Sequence, residues 1–548
     1  MIGAFAAAWQ QAGTDGDGSG DGRNGGWGRI LGLGGGRDKI SYTMSLIENL
    51  YVDPISADSL VESVIPLILE ELDPHSVYIP AADLAEVSEP LEGEFDGIGV
   101  TFNMVTDTVV VLNVIRYGPS EKAGVQNGDR IIRIDDSLVA GRNIPQDQIV
   151  RRLRGPRGTQ VKLGVERQGA SGLVPITVER GVIPIKALDA AFMIAPEVGF
   201  VKLSAFSRMS GNELQKALSE LVEQGMRSLI FDLRGNGGGY LGQATEIVNM
   251  FLPKDELIVY TEDRNGKQER MYSNGRGGFT EIPLVVLIDE GSASSSEILA
   301  GAIQDNDRGM IVGRRSFGKG LVQREIPYPD GSAVRLTVAR YYTPSGRSIQ
   351  KPYDHGSEEY RMDIYNRFSH NEMFSADSIR QDSVTYYTRG GRVMHGGGGI
   401  MPDYFVPVDT VGITPYYQRV NGRNLIYLFV REWADRHRAR VNSVATVADL
   451  DALLGGSPRL VDDFVAYAAR NGVAPDYKQI AISREVIDAR LKALIGNNTA
   501  LEYNGYYAKI YVIDSTILKA LDVLKDGMPT GPAGALGMTM TGLSGQAN

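Results

Sequence analysis

Apolar residues recur at helical spacing between Lys39 and Leu72, through Met44, Leu46, Ile47 and Leu50, then Leu60, Val64, Leu67 and Ile68. This predicts two helices divided at Pro54, with Pro66 kinking the second. From about Ser88 to Ile185 the pattern shortens to β runs. Strands are expected after Gly97-Ile98-Gly99, over 108–115, 130–134 and 161–165, with one helix over 144–153 that turns Ile149 and Leu153 to the same face. Between about Ala187 and Pro407, apolar strands (199–203, 228–233, 283–288) alternate with amphipathic helices (211–224, 243–251, 294–304). That alternation predicts a covered parallel or mixed sheet. After Gly422 the spacing is helical again, over 425–438, 447–454, 458–471, 483–495 and 508–524. The chain thus divides into a Gly-rich tether or truncated anchor (1–36), a helical region (37–87), a small β domain (88–185), an α/β core (186–421) and a C-terminal helical module with a frayed tail (422–548).

Composition narrows what such a chain can do. It has 548 residues, 43% hydrophobic and 22% charged, as expected of a multidomain globular protein. A net charge of −11 argues against nucleic acid as a partner. Without cysteine there is no disulfide framework, thiolate metal site or cysteine nucleophile. The five histidines (His75, His355, His370, His395, His437) have no metal-binding spacing, so no metal site is expected. His75, in the turn Asp73-Pro74-His75-Ser76, is read as structural. No apolar run reaches the 18 residues of a membrane span. The apolar start Met1–Trp9 reads equally as a short tail or as the remnant of a signal or anchor segment.

Three segments carry candidate chemistry. Gly291-Ser292-Ala293-Ser294-Ser295-Ser296-Glu297 joins a buried strand to a helix. A nucleophile there would sit where the helix N-terminus favours negative charge, and the same residues also read as a capping box of Ser294 and Glu297. Lys319, between Gly318 and Gly320 in an otherwise apolar stretch, would lose its charge if buried and become a base. Gln323, four residues on, can hydrogen-bond the amine but cannot titrate. The competing Ser316-x-x-Lys319 pattern lacks the Lys-Thr-Gly and Ser-Asp-Asn partners of the enzymes that use it, and its glycines oppose a helix. Finally, Asp232-Leu233-Arg234-Gly235-Asn236-Gly237-Gly238-Gly239 is a glycine-rich strand–helix junction, read as a structural turn or as an oxyanion hole.

The block 88–185 resembles a PDZ domain, on its Gly97-Ile98-Gly99-Val100 loop, Ala123-Gly124 and Gly128-Asp129 turns and single long helix. Residues 40–410 resemble the C-terminal processing, or tail-specific, serine proteases. The motifs occur in order: Leu72-Asp73-Pro74-His75-Ser76, the PDZ block, Arg154-Gly155-Pro156-Arg157-Gly158, Asp232–Gly238, Gly291–Ser294, Gly318-Lys319-Gly320, Tyr342–Gln350 and Gly398–Asp403. The resemblance implies an α/β multidomain chain with a crotonase-like (ClpP/crotonase-type) protease core. It implies Ser294 as nucleophile, Lys319 as base, Gln323 as its orienting partner, and backbone N–H groups of Gly238 or Gly237 and of Ser295 as oxyanion donors. Alanine often stands where this chain has Ser295, and Asp305 matches a position sometimes tied to activity or, equally, to helix-surface structure.

The same resemblance implies that Gly97, Ile98, Gly99 and Val100 hold the carboxylate of an apolar C-terminal tail, with Ile149 and Leu153 beside it and Arg154 reporting its arrival. It implies no cofactor, protein or peptide substrates, and export to a periplasm or cell surface. A homo-oligomer and a membrane tether are compatible with it. The alternative is an inactive PDZ-containing binding or carrier protein, which would have no need of the Ser294–Lys319–Gln323 set.

Overall fold

The computed structural model describes residues 39–527 except 106, 116, 168 and 380–383. The tether expected over 1–36 and the tail after Met528 lie outside the described residues. The chain divides into two units, Met1–Leu72 and Asp73–Asn548. In the first, helices Lys39–Leu50 and Ala57–Glu70 stand either side of Pro54. Ser56 caps the second through the Ser59 N–H, and Pro66 lies inside it.

The second unit begins with strand Val77–Ile79 and helix Ala81–Glu92. The sequence reading placed β structure from about Ser88. The helix instead runs to Gly93, whose φ of 84° supplies the left-handed cap that ends it. Two short strands, Glu94–Gly97 and Gly181–Pro184, then pair antiparallel and form both strands of the stalk carrying the small β domain. That domain is an antiparallel sheet in the order Val100–Val105, Thr108–Val114, Arg130–Ile134, Gln160–Glu166, Leu173–Glu179, closed by helix Gln146–Leu153. Alternation along Gln160–Glu166 buries Val161, Leu163 and Val165, a β-bulge after Ile131 lets both Ile131 and Ile134 face inward, and with Val109 and Val111 they pack against Ile149 and Leu153. Among the described residues Val100–Val105 pairs on one side only, so it is an edge strand.

The core holds two sheets. One runs Leu188–Ala195, Val198–Leu203, Ser228–Asp232, Leu284–Ile288, Met310–Gly313, Tyr404–Phe405, with only the first pair antiparallel. Its middle strands are apolar on both faces because both are covered. Helices Ser210–Glu223, Leu241–Asn249 and Ser295–Asp305 cover one face through Leu214, Leu218, Ile247 and Leu299. The other face carries Ala508, Ile517, Ala520 and Val523, from the far C-terminus. The second sheet is antiparallel and built on Ala333–Tyr342, which pairs with Val77–Ile79, Leu257–Asp263 and Leu321–Pro327. Met310–Gly313, Leu321–Pro327, Leu257–Asp263 and helix Ser357–Ser369 escaped the sequence reading.

The helical module packs around Tyr416, Phe429, Trp433, Leu450, Phe464, Ile487 and Leu491. The single helix expected over 508–524 is two, Tyr503–Ile510 and Ser515–Asp526. Asp514 breaks them by capping the second through the Thr516 and Ile517 N–H groups.

Candidate active site

Strands Ser228–Asp232 and Leu284–Ile288 are parallel neighbours, and both turns that follow them emerge at the carboxyl edge of the sheet. This is where open α/β sheets place their sites. After Ile288 the chain turns through Gly291–Ala293, and Ser294 stands at the N-cap of helix Ser295–Asp305 with φ 55° and ψ −113°. Such a backbone is sparsely populated for a residue with a Cβ and costs about 1–3 kcal/mol. It survives because the turn is tied on all sides. Ser292 Oγ donates to Leu233 O (2.9 Å), while the Ala293 N–H (3.0 Å) and Ser296 Oγ (2.8 Å) both donate to Asn236 O. The nucleophile turn and the glycine turn are thus bonded directly to each other.

Glu297 is the centre of the arrangement. Its carboxylate is fully buried and accepts four hydrogen bonds. Oε2 takes the N–H groups of both Ser294 (2.9 Å) and Lys319 (2.9 Å), and Oε1 takes Ser316 Oγ (2.6 Å) and the Gly318 N–H (2.7 Å). One oxygen atom therefore fixes the two backbones that carry the nucleophile and base candidates. Burial pushes its pKa up to about 7, and the four donors pull against that rise. Tyr341 is a second clamp, for its hydroxyl lies against the carbonyls of both Ser294 and Lys319. Ser316 is fully buried between Glu297 and the Ile400 N–H, which leaves it no role as a nucleophile.

The Lys319 amine donates to Gln323 Oε1 at 2.8 Å. Burial holds its pKa below the ordinary lysine value, aided by Arg335 and opposed by Asp73 and Glu297. Gln323 follows a β-bulge in the pairing of Leu321–Pro327 with Ala333–Tyr342, a device that re-aims side chains beside active sites. Its amide nitrogen donates to His75 O, which fixes the amide orientation so that Oε1 faces the lysine. This explains the Asp73-Pro74-His75-Ser76 turn. Asp73 accepts from the N–H groups of His75 (2.8 Å) and Ser76 (2.9 Å) and from Ser76 Oγ (2.6 Å), and it holds the His75 carbonyl in place. The His75 ring meets Tyr360 Oη at 2.7 Å, and burial lowers its pKa to about 4, with Lys319 adding to the effect. His75 is structural, as its turn chemistry implies, but what it contributes is a main-chain carbonyl.

Gly238 has φ 102°, and a Cβ there would stand 2.8 Å from Ser294 Cβ and 3.0 Å from Ser295 N, so no other residue fits against the nucleophile. Its N–H donates to Asn236 Oδ1 (2.9 Å), which occupies the expected oxyanion donor in this conformation. Ser295 Oγ donates to Gly239 O (3.0 Å), so the hydroxyl that departs from the usual alanine staples the glycine turn to the helix. At the base of that turn Asp232, fully buried, meets Arg234 (2.7 Å) and Lys202 (3.3 Å). Burial opposes its ionisation, but the two cations outweigh burial and lower its pKa. Asp305 is not on the helix surface. It forms a buried pair with Arg347 (2.7 Å) and accepts from Ser345, holding the Thr343–Ser348 loop.

In the β domain, Gly97, Ile98 and Gly99 are buried and Val100 begins the edge strand. Gly99 has φ 76°, and a Cβ there would press Ile183 at 2.9 Å, so both the backbone and the space require glycine. Ile149 and Leu153 are core residues, 0% and 3% exposed. Arg154 pairs with Glu89 (2.5 Å) and lies over the Phe95 ring at 4.4 Å. Farther along the same helix, Glu92 takes both Arg208 (2.8 Å) and Tyr240 Oη (2.7 Å). Sequence reasoning missed Tyr341, Asp73 as the brace of the His75 carbonyl, and the link from Glu92 to Tyr240. Among the described residues no group of three or more His, Asp or Glu is arranged to hold a metal ion.

An α/β core that sets a serine at a strained helix entrance, and ties its backbone through one Glu297 oxygen to that of a partly buried lysine, is compatible with a serine hydrolase. Comparison with known proteins adds the lineage. The model of peptidase family S41 matches residues 197–356, a PDZ domain model matches 97–178, and a family of unknown function (DUF8443) matches 416–500. The chain is 37% identical over 309 residues to a carboxy-terminal-processing protease of Bartonella bacilliformis, covering 56% of this chain and 70% of that protein. It is 35% identical over 317 residues to the carboxy-terminal processing protease CtpB of Bacillus subtilis, covering 57% of this chain and 65%, just under two thirds, of CtpB. Among solved structures, the photosystem II D1 C-terminal processing protease matches at 29% identity, over 57% of this chain and 89% of that one, with a TM-score of 0.33. The chain belongs to the carboxy-terminal-processing proteases of peptidase family S41.

Proposed function

We propose that the protein is a serine endopeptidase that captures C-terminal tails of protein substrates on its PDZ domain and cleaves them through a Ser294–Lys319 dyad. The observation that supports this reading best is the shared Glu297 oxygen, which ties the Ser294 and Lys319 backbones together while Gln323 holds a desolvated amine. The neutral Lys319 amine takes the Ser294 Oγ proton as Oγ bonds to the peptide carbonyl carbon. The resulting oxyanion is met by the N–H of Ser295 and of Gly237 or Gly238, the latter once it leaves Asn236. Collapse breaks the C–N bond, and the lysine ammonium passes its proton to the departing amine. Water then adds to the acyl-enzyme, losing a proton to Lys319, and Ser294 is regenerated as the new C-terminal acid leaves. No cofactor enters this sequence.

The tail would add as a strand along Val100–Val105, its carboxylate at the Gly97–Val100 loop and its last apolar side chain meeting Ile149 and Leu153 at the floor of the groove. Arg154, engaged with Glu89 at the end of the PDZ helix, is placed to respond when a tail displaces that contact. Family kinship extends the proposal to an exported enzyme. No helix among the described residues is long and apolar enough to cross a membrane. The test is proteolysis of an unfolded protein with an apolar C-terminus by the wild type, Ser294→Ala and Lys319→Ala. Both variants are expected to be folded and inactive, and cleavage at the wild-type rate by either would refute the dyad.

A further inference from the structure

The glycine turn Gly235–Gly239 abuts the nucleophile, and Asp232 and Arg234 pair at its root. Arg234 is mostly buried, its side chain 17% exposed, and bonds two carboxylates. One is its neighbour Asp232, at 2.7 Å. The other is Asp514, at 2.9 Å, 280 residues later in the chain. In this cluster Lys202 and Arg234 face Asp232 and Asp514, and Asp189 lies close enough to feel Lys202 and Asp232. Asp514 sits between the last two helices, where Ala508 and Ile517 bury themselves on the back of the core sheet. The same segment is fastened along the core edge, with Asn504 Oδ1 accepting the Ala191 N–H (2.8 Å) and Glu502 bonding Lys186 (3.3 Å) and Asn113 of the β domain (2.9 Å). It is therefore a strut with one end on the β domain and the other on the root of the glycine turn.

Resting on the serine endopeptidase reading above, we propose that Asp514, supplied by the C-terminal helical module, is a positioning residue that holds the oxyanion turn of the protease core through Arg234. A planar guanidinium bonded on two edges is restricted in rotation, and this adds to the hold that Asp232 has on the Arg234 N–H and Lys202 on its carbonyl. Gly235 then stays in reach of Asp289 (2.8 Å) and Asn236 in reach of Leu203 O (2.9 Å) and the nucleophile turn. Without the second carboxylate Arg234 keeps its bonds to Asp232, and its carbonyl keeps the Lys202 amine, but the guanidinium loses its tie to the strut and the root of the turn is held from one side.

Asp514→Asn separates this role from simple stability, because asparagine caps a helix about as well as aspartate while surrendering the charge on Arg234. In the full chain, kcat for a tailed protein substrate is expected to fall about tenfold or more with KM nearly unchanged. Backbone amide exchange at Gly235 and Gly238 should quicken. The matching cap change Asp476→Asn, at the start of helix Tyr477–Asn497, should leave both readouts as in the wild type. Unchanged exchange at Gly235 and Gly238 in Asp514→Asn overturns the proposal, as does a lower melting temperature with kcat preserved. Faster exchange in Asp514→Asn together with a wild type that cleaves nothing would refute the protease reading and leave the role of Asp514 in the turn standing.

Discussion

Two fully buried carboxylates anchor the two turns that meet at Ser294, and they behave in opposite ways. Glu297, under the nucleophile turn, is surrounded by neutral N–H and O–H donors, and burial wins, pushing its pKa up to about 7. Asp232, under the glycine turn, faces Arg234 and Lys202, and the cations win over burial. Burial alone therefore does not decide how a carboxylate titrates; the charge of its partners does. The consequences for stability have opposite signs. Between about pH 4.5 and 7 the native state holds more protons on Glu297 than the unfolded chain does, so this group weakens the fold as pH rises through that window. Asp232 contributes its stability above its ordinary value of 3.8 and loses it as pH falls through its lowered native value.

The harshest way to break the comparison is Asp232→Asn. It removes the carboxylate that both Lys202 and Arg234 bond directly, and breaking a buried pair of this kind costs about 3–5 kcal/mol. Chemical denaturation should report that loss. Glu297→Gln comes next. Its amide nitrogen must face donors, so at least one N–H or O–H is left unpaired at about 1–3 kcal/mol, and activity should drop steeply because the Ser294 and Lys319 backbones separate. The same variant should lose the destabilising slope between pH 4.5 and 7 in a melting-temperature series.

Gln323→Glu sharpens the contrast by giving Lys319 the kind of partner Asp232 has. A negative charge 2.8 Å from the amine favours the ammonium, so the acid limb of kcat/KM should move to higher pH by about one unit or more. Ser295→Ala is the mildest test, since Ser295 Oγ bridges the two turns only through Gly239 O. The loss should be about 1 kcal/mol in stability, with activity kept because the backbone N–H remains.

Much of this was legible in the order of residues. Strand–helix alternation placed the core sheet, and the Gly-Ser-Ala-Ser and Gly-Lys-Gly segments marked Ser294 and Lys319 before any coordinates. Local spacing identified Glu297 only as a helix cap; that its one oxygen also binds the Lys319 N–H depends on a contact across 22 residues. The His75 carbonyl escaped because a main-chain acceptor leaves no mark on residue type. Tyr341 escaped because a tyrosine on a strand reads as core, and only packing aims its hydroxyl at two carbonyls. Asp514 lies 280 residues from Arg234, and the helical pattern running through it concealed the break it makes.

The proposed dyad depends on the charge of one amine, that of Lys319. A 13C titration of selectively labelled Lys319 in the folded Ser294→Ala variant reads it without need of a substrate. A midpoint below the ordinary lysine value of 10.5 is expected, because burial disfavours the ammonium. A midpoint at or above 10.5 would mean a charged lysine at neutral pH and would contradict the dyad.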